Sequence, residues 1–504
     1  MNTVHKLFGA SVLALAISGC AVTSEPIERS VSEQRARSDL HGMYKDQEPL
    51  SGPLTLHEAM ARAVKYNLEG RLKIMEEALA KRQLDLASFD MLPRMALSAG
   101  YAGRNNTNAS SSQSVLTGTQ SLEPSTSQDR DRRVADLTMV WNVLDFGVSY
   151  ISAKQQGDQR LIVQERRRKV INTIVQDVRS AYWRAVAAER LLTQIDSLMA
   201  RVDQAQSNSQ SMSEQRIGDP IQALGYQRSL IEATRQLQEQ RRALSLAKTE
   251  LSTLINLPMG TDLKLATPDD YTVPQLKVNF ASLEQEALAN RPELREQDYQ
   301  TRISAAETRK AMLRLLPGLE FSAGGHYDSN SFLVDNRWAD YGAKVTWNLF
   351  NVLSAPAAID VAKAGEEVAT ARRQAMSIAV LAQLYVANAN FQDAVRQFKT
   401  NEQLADIDGQ ILTQLRNRHQ AAGLGELDLI QGELNTLQAD LRRDLAYADL
   451  RNAYGQIFAS AGLDPLPEQV DSDRVQSIAT ALAGRESAWA AGNIAAPVPR
   501  AAVK

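Results

Sequence analysis

An internal duplication limits the folds that this sequence can adopt. The dipeptide Trp141-Asn142 recurs 206 residues later as Trp347-Asn348, and Leu92-Pro93 recurs 224 residues later as Leu316-Pro317. A repeat of this length indicates two copies of one supersecondary arrangement. The chain must therefore contain two equivalent structural units.

The two copies cover residues 54–265 and 279–465. The offset between them falls from 224 to 206, so the second copy is shorter by 224 − 206 = 18 residues. The difference is confined to one place, residues 103–133 in the first copy against 328–336 in the second. A segment that absorbs such a change is typical of a surface loop.

Two short segments in each copy have the character of β-strands. Alternating residue types predict strands at about 92–104 and 134–147, and at about 317–328 and 338–350. One face of each strand is apolar or aromatic and the other is small or polar, as in a strand between lipid or core and a lumen. No later run of about 18 apolar residues exists, so a membrane crossing would need strands.

Helical segments precede the strands in both copies. Thr55 and Glu58 form the pattern of a capping box at the start of a helix. The equivalent helix of the second copy begins at Asn279 or Ser282 and is interrupted near Pro292, which does not fit a helix interior. We expect a corresponding break in the first copy at residues 66–69.

A much longer helical pattern follows each pair of strands. After Gly147 it runs for about 67 residues, which corresponds to roughly 100 Å. Breaks near residues 218 and 423 predict that each rod turns back as an antiparallel coiled-coil hairpin. The seam has alternating spacings of three and four, and its members are Ile171, Ile174, Val178, Ala181, Ala185, Ala188, Leu192, Ile195, Met199 and Val202, then Val380, Leu384, Ala387, Phe391, Ala394 and Phe398.

The first 19 residues have the composition of a secretory signal peptide. Its end, Ile-Ser-Gly-Cys, resembles a bacterial lipobox, so we predict lipidation at Cys20, although an ordinary signal peptide with an incidental cysteine is the alternative. Residues 20–53 read as an extended tether. Residues 466–504 read as a tail that is either disordered or part of an equatorial belt.

The sequence gives no indication of an enzyme. Its five histidines are scattered without metal spacing, and no phosphate-binding or dinucleotide-binding glycine motif follows a strand. A net charge of −3 gives no sign of nucleic-acid binding. We therefore expect no catalytic residues, no metal and no cofactor.

Four predicted strands per chain are too few for a closed outer-membrane barrel, which needs at least about eight. An oligomer would supply them, as eight strands in a dimer or twelve in a trimer.

The combination of motifs resembles the TolC family of outer-membrane efflux proteins over about residues 54–465. The resemblance rests on the duplication, the lipobox, the Leu-Pro strand entries, Trp-Asn-Val-Leu-Asp-Phe-Gly at 141–147 and Asn-Arg-Pro-Glu-Leu at 290–294. It implies a mainly α-helical homotrimer with a small β part. Its twelve-stranded barrel, with four strands per chain, would continue into a long antiparallel α-helical coiled-coil tunnel in the periplasm.

The resemblance also implies a function. Such channels are the outer-membrane exit ducts of tripartite export systems, with a periplasmic adaptor and an inner-membrane pump of the RND or ABC type as partners. We expect a lipid-anchored protein of the outer membrane that passes small molecules such as drugs. A type I protein secretion duct is one alternative, and a periplasmic coiled-coil scaffold without a pore is another.

By the same resemblance, acidic residues after the second hairpin tip would constrict the tunnel. The candidates for this gate are Asp428 and Glu426, with Gln431 at the place of a second acid. Three Asp428 carboxylates around one axis would attract cations. The alternative is that these side chains are only solvated charges at a helix tip.

Residues at both tips are candidates for adaptor contact, although the glycines among them are also explained by the need for a turn. They are Arg216, Gly218, Asp219, Gly423 and Leu424. Trp141 and Trp347 suit a membrane interface, with ordinary strand packing as the alternative.

Overall fold

The computed structural model describes residues 24–214, 220–267, 271–421, 423, 425–467, 470 and 472–494. The chain divides into two compact units, residues 1–49 and 50–504. In the first unit, helix α1 (Arg29–Met43) has no buried residue. The prediction of an extended tether is wrong for this segment. The proline residues of this segment lie outside α1. An ion pair between Arg29 and Glu33 at 2.8 Å stabilises the helix.

The second unit contains both repeats. Its described elements, in chain order, are α2 (Leu56–Tyr66), α3 (Leu68–Phe89), β1 (Arg94–Gly103), β2 (Ala109–Ser110), β3 (Ser125–Thr126), β4 (Asp131–Asn142), α4 (Val143–Glu214), α5 (Pro220–Leu254), α6 (Phe280–Asn290), α7 (Pro292–Leu313), β5 (Gly318–Asp328), β6 (Arg337–Thr346), α8 (Phe350–Gln420), α9 (Glu426–Ser460) and α10 (Val475–Ala490).

The predicted helix starts and breaks are present. The Thr55 hydroxyl accepts a hydrogen bond from the Glu58 N–H at 3.2 Å and caps α2. Asn67 separates α2 from α3 and caps α3 through the N–H groups of Glu69 and Gly70. In the second repeat Asn279 caps α6, and the α6–α7 break falls where Pro292 occupies the first turn of α7, a position that tolerates proline.

Two long helices dominate the unit. α4 has 72 residues and α8 has 71, so each is roughly 105–110 Å long. Each is followed by a return helix of 35 residues, α5 and α9. Most of the predicted seam of α4 and all six predicted seam residues of α8 are buried.

The helices pack in a row with two ends. In the half of the unit that carries the hairpins, α5 packs on α4, α4 on α9 and α9 on α8. In the half nearer the sheet, α3 packs on α4, α4 on α7 and α7 on α8. One end of the row is therefore formed by α3 and α5, and the other end is formed by α8 alone.

The strands form one antiparallel sheet in the order β1-β4-β5-β6. The central pair β4–β5 joins the two repeats, with Leu137 opposite Gly325. β1 and β6 are edge strands. The longer loop of the first repeat contains a small ribbon, β2 paired with β3.

The strands before the long helices end earlier than predicted. β4 ends at Asn142 rather than near 147, and β6 ends at Thr346 rather than near 350. The Asn142 Oδ1 accepts hydrogen bonds from the N–H groups of Leu144 and Asp145. Asn348 Oδ1 accepts one from Phe350. The repeated Trp-Asn dipeptide thus marks a junction where asparagine starts the helix.

The C-terminal segment is folded where it is described. α10 buries Ile478, Leu482 and Trp489 in the main core, and Trp489 stacks on Phe458 with ring centroids 4.8 Å apart. A disordered tail is therefore wrong for residues 472–494. The many alanines of the segment conceal one apolar stripe, which packs against α2.

Candidate functional site

The second hairpin tip brings the candidate gate residues to the start of α9. The Gly423 N–H donates to the Arg418 carbonyl at 3.0 Å and closes the end of α8. Glu426 and Asp428 lie in the first turn of α9. A helix N-terminus carries partial positive charge, so both carboxylates also stabilise the helix.

Glu426 is held by ion pairs. Its carboxylate lies 2.9 Å from a guanidinium nitrogen of Arg201 on α4 and 3.4 Å from the His419 ring on α8. Arg201 also pairs with Glu433, which lies 3.3 Å from Arg416. This network joins the first hairpin to both helices of the second.

Asp428 differs from Glu426 in its surroundings. Its side chain is exposed, and among the described residues it has no ion-pair partner. Gln431 lies three residues further along α9, is also exposed, and donates to Asn435 at 3.1 Å. Residues three apart share a helix face, so Asp428 and Gln431 are presented together. The intervening Leu429 and Ile430 are buried.

Several predicted site residues cannot be placed. Cys20 lies outside the described residues, as do Arg216, Gly218 and Asp219 at the first tip and Leu424 at the second. Of the five candidates for adaptor contact, the described residues contain Gly423 alone.

The sheet has two chemically different faces. Alternate residues of a strand point to opposite sides, so Leu137, Met139 and Trp141 of β4 share one face, which continues through Phe321 on β5 and Tyr341 on β6. All five side chains are exposed in the single chain. This face is an uncovered apolar surface.

The opposite face carries polar and charged side chains. His326 on β5 lies 2.7 Å from the Asp136 carboxylate on β4 and 3.1 Å from the Asp340 carboxylate on β6. Glu320 and Lys344 lie opposite each other on the same face. The sheet thus separates an apolar surface from a charged one.

Trp141 and Trp347 lie at the end of the sheet that joins the long helices. Trp141 is on the apolar face and packs edge-on against Phe146 at 5.9 Å. Trp347 follows β6, is half exposed, and donates from Nε1 to the Leu315 carbonyl at 3.0 Å. Their assignment to a membrane interface stays a prediction.

Both ends of the helix row carry apolar residues with heptad spacing that nothing in the described chain covers. On α8 a second seam lies opposite the buried one, and Ile378 is 72% exposed. The exposed residues on α8 are Ala375, Ile378, Ala379, Ala382, Val386 and Ala389, and those on α3 are Leu68, Leu72, Met75, Leu79, Leu86 and Phe89.

Each open edge of the sheet is connected along the chain to one of these exposed helix seams. β1 follows α3 along the chain and is one unpaired edge, whereas β6 precedes α8 and is the other. Each end of the protomer therefore offers an open strand edge together with an apolar helix seam.

In the described residues no three His, Cys, Asp or Glu side chains gather closely enough to hold a metal ion. In the same residues, no α-helix combines the length and the apolar composition that a membrane crossing requires.

The ion pairs that hold the termini and hairpins together were not predicted. Glu486 on α10 pairs with Arg179 on α4 and with His57 on α2, at 3.0 Å from the ring. Burial alone would raise the pKa of Glu486, but the Arg179 guanidinium and the His57 ring lower it to about 2. These partners are separated by hundreds of residues, so no local pattern signals them.

Comparison with known proteins identifies one matching family and several solved structures with a similar fold. Residues 283–462 match the family described as Outer membrane efflux protein. No curated protein sequence matches the chain.

Solved structures of outer-membrane channels share the fold. The Campylobacter jejuni CmeC outer membrane channel is 12% identical with a TM-score of 0.64, covering 83% of this chain and 90% of that one. The open state of the Neisseria gonorrhoeae MtrE outer membrane channel is 18% identical with a TM-score of 0.60, covering 82% and 94%. The Vibrio cholerae outer membrane protein VceC is 14% identical with a TM-score of 0.59, covering 81% and 96%.

The resemblance to outer-membrane efflux proteins is thereby confirmed, and so is the mainly helical fold with a small sheet. The family match over residues 283–462 is to outer membrane efflux proteins, and the chain as a whole has the fold of outer-membrane channels.

Proposed function

We propose that this protein is the outer-membrane exit duct of a tripartite export system for small molecules. The observation that carries the proposal is the sheet, which has an exposed apolar face, a charged face and two open edges at one end of helices more than 100 Å long. Such a sheet is suited to lie between lipid and water. Among the described residues no feature favours a protein substrate over a small one.

Assembly follows from the open ends. Because β1 and α3 lie at one end of the protomer and β6 and α8 at the other, copies join head to tail. A heterologous interface of this kind forms a ring when the rotation between neighbouring copies closes. Four strands per copy give twelve in a trimer, so we propose a homotrimer whose barrel and helical tunnel enclose a continuous lumen.

Within this ring the apolar face contacts lipid and the charged face lines the lumen. His326, Asp136 and Asp340 then lie along the water-filled path. Trp141 and Trp347 lie at the periplasmic interface between the outer membrane and water, where indole rings are favoured. Lipid attached at Cys20 would hold the chain to the outer membrane.

The narrow point is proposed at the second hairpin tip. Asp428 has no ion-pair partner in the described part of its chain, so three copies around the axis would present free carboxylates to permeating ions. Glu426 is engaged by Arg201, so its role is to hold the hairpins together. An adaptor, with its inner-membrane pump, would contact the tips near Gly423.

The experiment that tests the assembly introduces charge into an exposed seam. Leu79→Glu places a carboxylate in the α3 seam, whereas Lys81→Glu changes an exposed residue on another face of the same helix. We expect wild type and Lys81→Glu to run as heat-sensitive trimers in unheated detergent gels and Leu79→Glu to run as a monomer. Trimers of equal stability in all three would refute the proposed interface.

A further inference from the structure

Two arginines lie on the apolar face at the end of the sheet far from the long helices. Arg133 on β4 is directly opposite Tyr101 on β1, and Arg337 on β6 is directly opposite Tyr327 on β5. Arg133 shares its face with Leu137 because their positions differ by an even number of residues. All four side chains are exposed.

In the described residues no carboxylate lies within ion-pair distance of Arg133 or Arg337. Arg337 lies over the Tyr327 ring, 5.8 Å from its centroid. The acidic residue on this face, Asp131, accepts a hydrogen bond from the Tyr101 hydroxyl at 2.6 Å.

The neighbouring arginine on the opposite face shows the contrast. Arg132 points to the charged side of β4 and lies 3.4 Å from the Asp328 carboxylate. The consecutive residues Arg132 and Arg133 therefore differ in whether a carboxylate lies beside the guanidinium. Arg132 on the charged face is neutralised by Asp328. Arg133 on the apolar face has a positive charge that no described carboxylate neutralises.

The position of the arginines matches a membrane–water boundary. Trp141 lies eight positions after Arg133, which is roughly 26 Å along the strand. With a tilt of about 40° this spans about 20 Å across the membrane, close to the height of the apolar band in outer-membrane barrels. The two arginines would then lie at the outer boundary, and Trp141 at the inner one.

We propose that Arg133 and Arg337, flanked by Tyr101 and Tyr327, bind the phosphate groups of a phosphorylated lipid in the outer leaflet. A guanidinium donates paired hydrogen bonds that fit phosphate oxygens, and tyrosine rings are favoured at the depth of lipid headgroups. The inference rests on the proposed function, because that function directs the apolar face to lipid and this end outward.

The test uses the purified assembly in phosphatidylcholine nanodiscs that contain either lipid A with both phosphates or dephosphorylated lipid A. Bound lipid is counted by native mass spectrometry. We expect preferential retention of the phosphorylated lipid, weakened about fivefold by Arg133→Ala and by Arg337→Ala, which corresponds to about 1 kcal/mol for each arginine.

Arg132→Ala is the matched control, since it removes the same group from the other face, and we expect it to leave the preference unchanged. Equal retention of the two lipids, or an equal loss in Arg132→Ala, would overturn the inference. Competition by inorganic phosphate alone at the same concentration would overturn the assignment to a lipid and indicate a site for free anions.

Failure of this inference is distinguishable from failure of the proposed function. Wild-type trimers that insert into the nanodiscs but show no phosphate preference would remove the lipid site and leave the duct intact. A wild-type protein that does not insert as a ring would remove the proposed function itself.

Discussion

The long helices α4 and α8 are equivalent elements of the two repeats, yet the fold treats them differently. α4 lies inside the helix row, between α3 and α5 on one side and α7 and α9 on the other. α8 lies at the end of the row and buries one seam, while its second seam, with Ile378 and Val386, is exposed. The duplication supplies two similar rods, and their place in the row determines which of them has a surface left for another copy.

The same contrast applies to charge. α4 carries buried ionised groups that are matched within the chain: Glu165 pairs with Arg168 and Arg295. Burial raises the pKa of Glu165 despite these guanidiniums. α8 has no buried charged residue among those described. The interior helix α4 makes its contacts within its own chain, whereas the end helix α8 leaves an apolar seam exposed that another copy could cover.

The largest effect should come from adding a charge to the interior helix. Ala185 on α4 is fully buried, so Ala185→Glu places an unpaired carboxylate in the core and should lower the free energy of unfolding by about 3–5 kcal/mol. Denaturant unfolding in detergent, followed by circular dichroism, measures this change.

The matched control is Ala382→Glu in the exposed seam of α8. It should leave the fold of the protomer intact and prevent trimer formation. Normal trimers from Ala382→Glu would show that the exposed seam of α8 is not an interface. An unaffected stability in Ala185→Glu would show that this position of α4 is not in the core.

An intermediate effect is expected from acid, because the ion pairs of Glu486 join the C-terminal helix α10 to the first repeat. The pKa of Glu486 is lowered from about 4.5 to about 2 by Arg179 and His57, against the effect of burial. A lowered pKa contributes stability above the unfolded-state value that is lost as the pH falls from about 4.5 to about 2. The loss should be about 3 kcal/mol.

Measuring the free energy of unfolding against pH tests this clasp, with Glu486→Gln as the variant that removes the titrating group. We expect the variant to be less stable at neutral pH and to lose part of the dependence between pH 4.5 and 2. A variant with the same pH dependence as wild type would show that Glu486 does not provide it.

The smallest effects on stability should come from substitutions at the helix caps that the two repeats share. Thr55 and Asn279 cap the corresponding helices α2 and α6. Thr55→Ala and Asn279→Ala should each lower stability by about 1 kcal/mol. Similar losses in denaturant unfolding would confirm that the copies share this element. A loss confined to one variant would indicate that the second copy has replaced the cap by other contacts.

Much of the fold is encoded locally and could be predicted. Heptad spacing identifies the rods, Pro292 identifies the break before α7, and the Thr55–Glu58 pattern identifies the start of α2. These signals depend on residues within a few positions of each other, so they can be read from the sequence without knowing what packs on them.

The remainder depends on contacts that are distant in sequence. The Trp-Asn dipeptide resembles the interior of a strand until Asn142 is seen to cap a helix. The alanine-rich stretch of α10 shows its apolar stripe only beside Phe458. At the candidate gate, Glu426 and Asp428 look alike in the sequence, and their difference comes from Arg201, 225 residues away.

Single-channel conductance in planar bilayers shows whether the assembled protein is a channel. Wild type is compared with Asp428→Ala, and Gln431→Ala is the neutral control on the same helix face. We predict discrete cation-selective openings in wild type. Asp428→Ala should enlarge the openings or abolish their selectivity, and Gln431→Ala should change neither. Assembled, inserted trimers that pass no current in wild type or in Asp428→Ala would contradict the channel that the open ends of the protomer imply.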